Sequence, residues 1–157
     1  MDIDKVALYG GVSKIGGENV EVMGLKKKLE NIRKQDKVKI VNQSYLNYEP
    51  EFTFSGVIVS EGLHYEANIN YSLEEIVKKI QTYVSVGGLI MVEHLHFSEK
   101  NNDPKRYLTS SQLAAFFDKT KWKVTSNKKK TYLEEANLRI NRIHEVIIGR
   151  LYAQKLK

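Results

Sequence analysis

Three of the chain's four histidines, His64, His94 and His96, fall where two neighbouring strands would end. His94 and His96 are two apart on a strand and therefore face the same side. With Glu61 or Glu93 nearby, three imidazoles could converge as a nitrogen and oxygen set for Zn²⁺. A lone H-x-H serves equally as a hydrogen-bonded structural pair or a substrate contact, so no metal ligand set is assigned. Glu61 and Glu93 each sit beside a strand end, where a carboxylate can orient an amine or act as a base when its pKa matches the task. His64, Glu93 and His94 are the candidate catalytic residues. Tyr45, Tyr48 and Tyr65 fall on loops at the same edge of the sheet. Their rings could stack on an adenine or a flat substrate, or pack inward and wet their hydroxyls. Asp103, Lys105 and Arg106 sit in a polar loop that could cover such a site.

The elements that would position these residues follow from pattern. Val57–Val59 and Leu89–Val92 are short apolar runs of the kind a sheet covered on both faces needs. In an open α/β sheet, ligands bind outside the carboxyl ends of the strands, which directs attention to residues 60–65 and 93–96. Between the two strands, Ser72 followed by Glu75 has capping-box spacing ahead of an apolar run. Ile76, Ile80, Tyr83 and Val84 form one stripe, and Gly87–Gly88 is expected to stop the helix.

Upstream, residues 5–9 read as a short strand or a last helical turn. Gly10–Gly11 and Gly16–Gly17 bracket VSKI, and NVEVMGL alternates like a strand. Lys26–Lys34 has helical spacing of Leu25, Leu29 and Ile32, and Val38–Val41 reads as a compact strand before the loop Asn42–Pro50. Downstream, a capped helix is expected from about Ser110 to Lys119, with Phe116, Phe117 and Trp122 in the core. Trp122–Thr125 and Glu145–Gln154 read as late strands, and Lys128–Arg142 as a loop with a helical piece. The alternation predicts an α/β fold, a mainly parallel but mixed sheet flanked by helices and closed by an antiparallel hairpin.

Length and composition bound the answer. A chain of 157 residues, 41% apolar and 28% charged, suits one domain, residues 1–157, with a real core. No apolar run approaches the roughly 20 residues of a membrane span, and no signal peptide is recognised at the start. The chain has no cysteine, which excludes disulfides, thiolate metal sites and cysteine nucleophiles. A cytoplasmic protein is the expectation. The net charge of +6 comes largely from lysines at 26–28, 128–130 and the C-terminal end, read as solvated faces. A nucleic-acid surface would interleave basic residues with aromatics or set them along one face. Tyr45, Tyr48 and Tyr132 lie near basic residues without a binding motif, so neither a nucleic-acid partner nor a membrane is expected.

From about Val20 to Lys155 the pattern resembles the C-terminal two-thirds of class I S-adenosylmethionine-dependent methyltransferases, the small tellurite-resistance and thiopurine-type members above all. VEVMGLKKKLENIRK resembles the second strand and helix, VKIVNQSYLNYEP the third strand and loop, and FSGVIVSEGLHY the fourth strand, whose end touches cofactor and substrate. IVKKIQTYVSVGG with LIMVEHLH is similar to the next helix, turn and fifth strand. SSQLAAFFDKTKWKV and HEVIIGRLYAQK look like the sixth and seventh.

The resemblance implies a Rossmann-like fold, S-adenosylmethionine as cofactor, a small-molecule substrate, and cofactor contacts from Gly10, Gly11, Ser44, Tyr45, Ser60, Glu61 and Gly62. The chain departs from the family near its start: no G-x-G-x-G turn is present, and ALYGGVSKIGGENVEV could itself correspond to the helix after that turn, with the first strand missing. Gly24 stands where an acid would bind the ribose, and Asn42-Gln43-Ser44 where an acid often meets the adenine amine. The activity implied is small-molecule methylation with a degenerate cofactor site. The alternative is a catalytically inactive methyltransferase-like partner or regulatory subunit. A sheet lacking its first strand would leave an edge to which another copy or a protein partner could pair. Separately, ALYGGVSKIGGENVEV resembles the opening of metallo-β-lactamase-fold nucleases, whose H-x-H-x-D-H metal motif does not follow.

Overall fold

The computed structural model describes residues 5–15, 17–60, 63, 71–99, 102–134 and 144–157. Described residues up to Glu49 form one compact unit and those from Pro50 onward another.

In the first unit, helix α1 (Lys5–Tyr9) precedes strands β1 (Gly11–Ile15) and β2 (Glu18–Val22) and helix α2 (Leu25–Asn31). The strands pair antiparallel from Gly11↔Val22 to Ile15↔Glu18, with Gly17 at positive φ in the turn. Leu8 and Leu29 are buried. The backbone closes tightly where Gly10 meets Gly24. A Cβ on Gly24 would lie 2.1 Å from the Gly10 nitrogen, and one on Gly10 would lie 2.9 Å from the Val22 carbonyl oxygen. Val38–Val41 forms no strand: a 3₁₀ turn at Gln35–Lys37 leads into irregular backbone. Among the described residues no strand is paired with this run, and β propensity alone does not make a strand.

The second unit holds β3 (Phe54–Ser60), α3 (Leu73–Thr82), β4 (Val84–Leu95), α4 (Ser110–Ala115), β5 (Trp122–Glu134) and β6 (His144–Lys155). Its four-stranded sheet has the order β3-β4-β6-β5. β3 and β4 are parallel, and β6 runs antiparallel to both β4 and β5. The mixed sheet flanked by helices and its final hairpin are as the alternation predicts.

Two reciprocal capping boxes start the helices, Ser72 with Glu75 and Thr109 with Gln112. The register sends Ile90, Val92, His94 and His96 to one face of β4, opposite Gly149, Leu151 and Ala153 of β6. α3 and α4 cover that face. Ile76, Val77 and Ile80 of α3 and Leu113 of α4 are almost fully buried against it, and Phe117 meets Trp122 edge to face at 5.4 Å. Asn127 of β5 donates to the Ser110 carbonyl at 2.9 Å, pinning α4 to the sheet.

The other face mixes exposed residues with the buried Glu93 and Ile148. Ile58 is 73% exposed, Leu89 57% and Tyr152 40%. The two sheet edges differ in chemistry. β5 carries Lys123, Lys128, Lys129 and Lys130, whereas β3, FSGVIVS, carries no charge. Among the described residues, each of these two strands pairs on one side only.

Three boundaries depart from sequence pattern. Helix α3 ends at Thr82, and Gly87–Gly88 lies inside β4 as a bulge: Phe54 pairs with Val84 but Gly56 with Leu89. Gly87 takes φ +80, and a Cβ on Gly88 would crowd the Ser85 and Phe54 carbonyls at 2.9 and 3.1 Å. α4 stops at Ala115 because Phe116 caps it and the chain turns to send Phe117 into the core. Lys128–Glu134 is strand, not loop: at a sheet edge lysines remain hydrated while the backbone pairs with β6. Among the described residues, no helix is long and apolar enough to cross a membrane.

Candidate functional site

Ser60 ends β3, and the parallel register places it directly beside Glu93 near the end of β4, with Arg150 of β6 on Glu93's other side. The Ser60 hydroxyl donates to Glu93 Oε1 at 2.9 Å, and Arg150 Nε donates to Glu93 Oε2. Glu93 is only 9% exposed. Burial pushes its carboxyl up, but the bonds from Arg150 and Ser60 outweigh that and hold it below the usual carboxylate range. This row spans three strands at the carboxyl ends of the parallel pair, where an α/β sheet offers a ligand site.

His94 points the other way, because adjacent strand residues alternate faces. It is 2% exposed on the helix-covered side. Its Nδ1–H donates to the Leu95 carbonyl at 3.1 Å. Its Nε2 has no hydrogen-bond partner and stands over the backbone of Gly149, where a Cβ would lie 2.3 Å away. Burial pushes the His94 pKa down, more than the bond to Leu95 raises it, and His96 lowers it further. His96 shares the face, its ring 6.0 Å from that of His94. Its Nδ1 bonds the Phe97 carbonyl at 2.7 Å, and its Nε2 accepts from the Ser110 amide at 3.2 Å, tying the strand end to α4. The crevice beside His94, between Leu63, Leu73 and Leu108, has no room for a water molecule. Glu93 and His94 therefore serve separate faces, and His96 joins strand to helix.

Glu61, Gly62, His64 and Tyr65 lie outside the described residues. Gly10, Gly11, Ser44 and Tyr45 belong to the first unit. Ser44 caps the 3₁₀ turn Tyr45–Asn47, its hydroxyl accepting from the Leu46 amide at 3.2 Å. Among the described residues, no three of His, Cys, Asp and Glu come together as a metal site. Arg150 is the functional residue that sequence reasoning missed. Its signal lay in the alternation of VIIGRLYAQ, which sends Gly149, Leu151 and Ala153 inward and Arg150 and Tyr152 outward.

The described residues do not complete a cradle for S-adenosylmethionine. Gly10's space is taken by its own chain at Val22 and Gly24, and Gly24 leaves no volume for the acid that would hold a ribose. Glu93 already has a hydroxyl and a guanidinium on its two oxygens. Gly11 alone is open, with nothing within 4 Å of a built Cβ.

Comparison with known proteins places this geometry in a class. No family model and no curated protein matches the sequence. Among solved structures, the chain is similar to TehB from Haemophilus influenzae, with TM-score 0.58 and 8% identity over 81% of this chain and 45% of TehB. It is also similar to the N-methyltransferase NodS from Bradyrhizobium japonicum WM9, with TM-score 0.51 and 7% identity over 83% of this chain and 69% of NodS. NodS has also been solved in complex with S-adenosyl-L-homocysteine. The chain thus has the fold of class I S-adenosylmethionine-dependent methyltransferases, and it spans less than half the length of TehB.

Proposed function

We propose that the chain is an S-adenosylmethionine-dependent methyltransferase acting on a small molecule, through a cofactor site that departs from the family's. The observation that supports this is the Ser60–Glu93–Arg150 row, set at the carboxyl ends of the parallel pair in a methyltransferase fold. Methyl transfer asks mainly for in-line positioning, and a rigid three-strand row is suited to orienting a polar group. In this proposal Ser60 borders the cofactor and Glu93 orients the acceptor, while His94 supports the strand end from the opposite face. Calorimetric titration with S-adenosylmethionine and S-adenosylhomocysteine tests it: saturable micromolar binding is expected, and silence at millimolar cofactor overturns it. A second reading, a catalytically inactive methyltransferase-like subunit, is favoured by the closed Gly10–Gly24 contact. Silence in the titration, with a well-folded chain, is what that reading expects.

A further inference from the structure

The face of the sheet opposite α3 and α4 carries cations and aromatic rings in a regular array. Lys128 of β5 and Arg150 of β6 are direct cross-strand neighbours. Lys130 lies one row further along, beside Ile148, and Tyr132 one row beyond that. On the other side of the Lys128–Arg150 row, Tyr152 stands opposite Ser126. Rows on one face are about 6.8 Å apart, so these five side chains extend along roughly 20 Å of strand. Lys128, Lys130 and Arg150 are exposed, and the Tyr152 residue is 40% exposed. Lys130 Nζ lies 5.1 Å from the centre of the Tyr132 ring. Of the acids on this face, Glu93 is met by Arg150 and Glu134 lies one row beyond Tyr132, which leaves Lys128 and Lys130 to set the sign between them. The chain as a whole carries +6.

Sequence spacing conceals this arrangement, because Lys128 and Tyr152 are brought together only by the β5–β6 register. Rings that accept a base on their face, interleaved with cations that meet phosphates, are the chemistry of single-strand recognition. A duplex keeps its bases stacked inside, and a flat sheet face inserts neither helix nor ribbon into its groove. We infer that the strand face built by Lys128, Lys130, Tyr132, Arg150 and Tyr152 binds single-stranded nucleic acid.

Fluorescence anisotropy of a labelled twelve-nucleotide oligouridylate (about three times the smallest single-strand site sizes), titrated with the full chain over a range of salt, tests this directly. Saturable binding is expected, with log K falling linearly in log salt. The double variant Lys128→Glu/Lys130→Glu loses more than about ten-fold in affinity, and its salt slope falls by about 1.4, near 0.7 for each phosphate that is no longer neutralised. Tyr152→Leu and, separately, Tyr132→Leu each weaken binding by about five-fold or more while leaving the slope unchanged. Thermal melts confirm that each variant is folded, and two tyrosine positions keep the test intact if one variant is not. An oligodeoxythymidylate of equal length forms the second arm. Equal binding assigns recognition to bases and phosphates, and preference for the ribonucleotide adds the 2′-hydroxyl. Absence of binding at low salt, equal affinity for a duplex of the same length, or wild-type binding by the folded tyrosine variants overturns the inference.

Discussion

Replacing Gly149 by alanine tests the packing that fixes the end of β4. A Cβ there would lie 2.3 Å from His94 Nε2, 2.8 Å from Cε1 and 3.0 Å from Cδ2, so the ring would have to retreat by about 1.1 Å to reach the 3.4 Å of ordinary contact. The ring has little freedom to do so. Its Nδ1 is bonded to the Leu95 carbonyl, His96 stacks beside it, and the adjoining crevice cannot admit even a water. Overpacking of this kind costs about 1–3 kcal/mol, and the backbone gain from glycine to alanine offsets roughly 0.5–1 kcal/mol of it. A net loss of about 1 kcal/mol lowers the Tm of a chain this size by about 2–4 °C. Urea and thermal unfolding followed by circular dichroism measure the loss, and the His94→Ala background supplies the control. With the ring gone the added methyl has space, so the two substitutions should couple by about 2 kcal/mol. A Gly149→Ala chain that melts with the wild type, or a penalty unchanged in the His94→Ala background, refutes the reasoning.

Two further outcomes concern His94 and, in the first unit, the approach of Gly10 and Gly24. Because burial depresses the His94 pKa in the folded chain, the unfolded chain takes up a proton first as pH falls below about 6.5. The stability tied to His94 is therefore complete above that pH and declines towards the depressed folded value. The urea midpoint should drop between pH 7 and 5, and His94→Leu should flatten that part of the profile; an identical pH profile for the variant contradicts the assignment. Gly24→Asp, which would supply the acid expected of a ribose contact, instead drives a Cβ to 2.1 Å from the Gly10 nitrogen and 2.3 Å from the Tyr9 carbonyl carbon. Since backbone cannot yield, the variant should lose amide protection across residues 11–22 at a cost above about 3 kcal/mol. Wild-type hydrogen exchange there counts against the close approach of Gly10 and Gly24.

The sequence made the central β3–α3–β4 segment readable because its signals are local: a capping box, a stripe at helical spacing and two short apolar runs. What escaped was set by pairing. Val38–Val41 has strand composition but no strand paired with it among the described residues, and Lys128–Glu134 has loop composition but a partner along its whole length. Gly87–Gly88 has the appearance of a helix stop, yet it serves the bulge that brings Leu89 opposite Gly56. At the site, strand periodicity alone places His94 and His96 together and Glu93 on the other face. That Glu93 meets Ser60 and Arg150 depends on pairing across 33 and 57 residues, which no local pattern records. The role of Gly10 was likewise hidden: a glycine that spares room for a ligand and one that spares room for its own chain look alike until Gly24 is found against it.

The unequal edges give the sheet a direction of growth. At β5, any strand that approached would have to strip water from a row of ammonium groups, so the sheet terminates there. At β3 no such cost stands in the way: FSGVIVS offers alternating amides and carbonyls with neither charge nor proline to interrupt them. Strand order alone describes four positions in a line. Among the described strands, the placement of lysine makes that line a polar one, with a charged end at β5 and an uncharged end at β3.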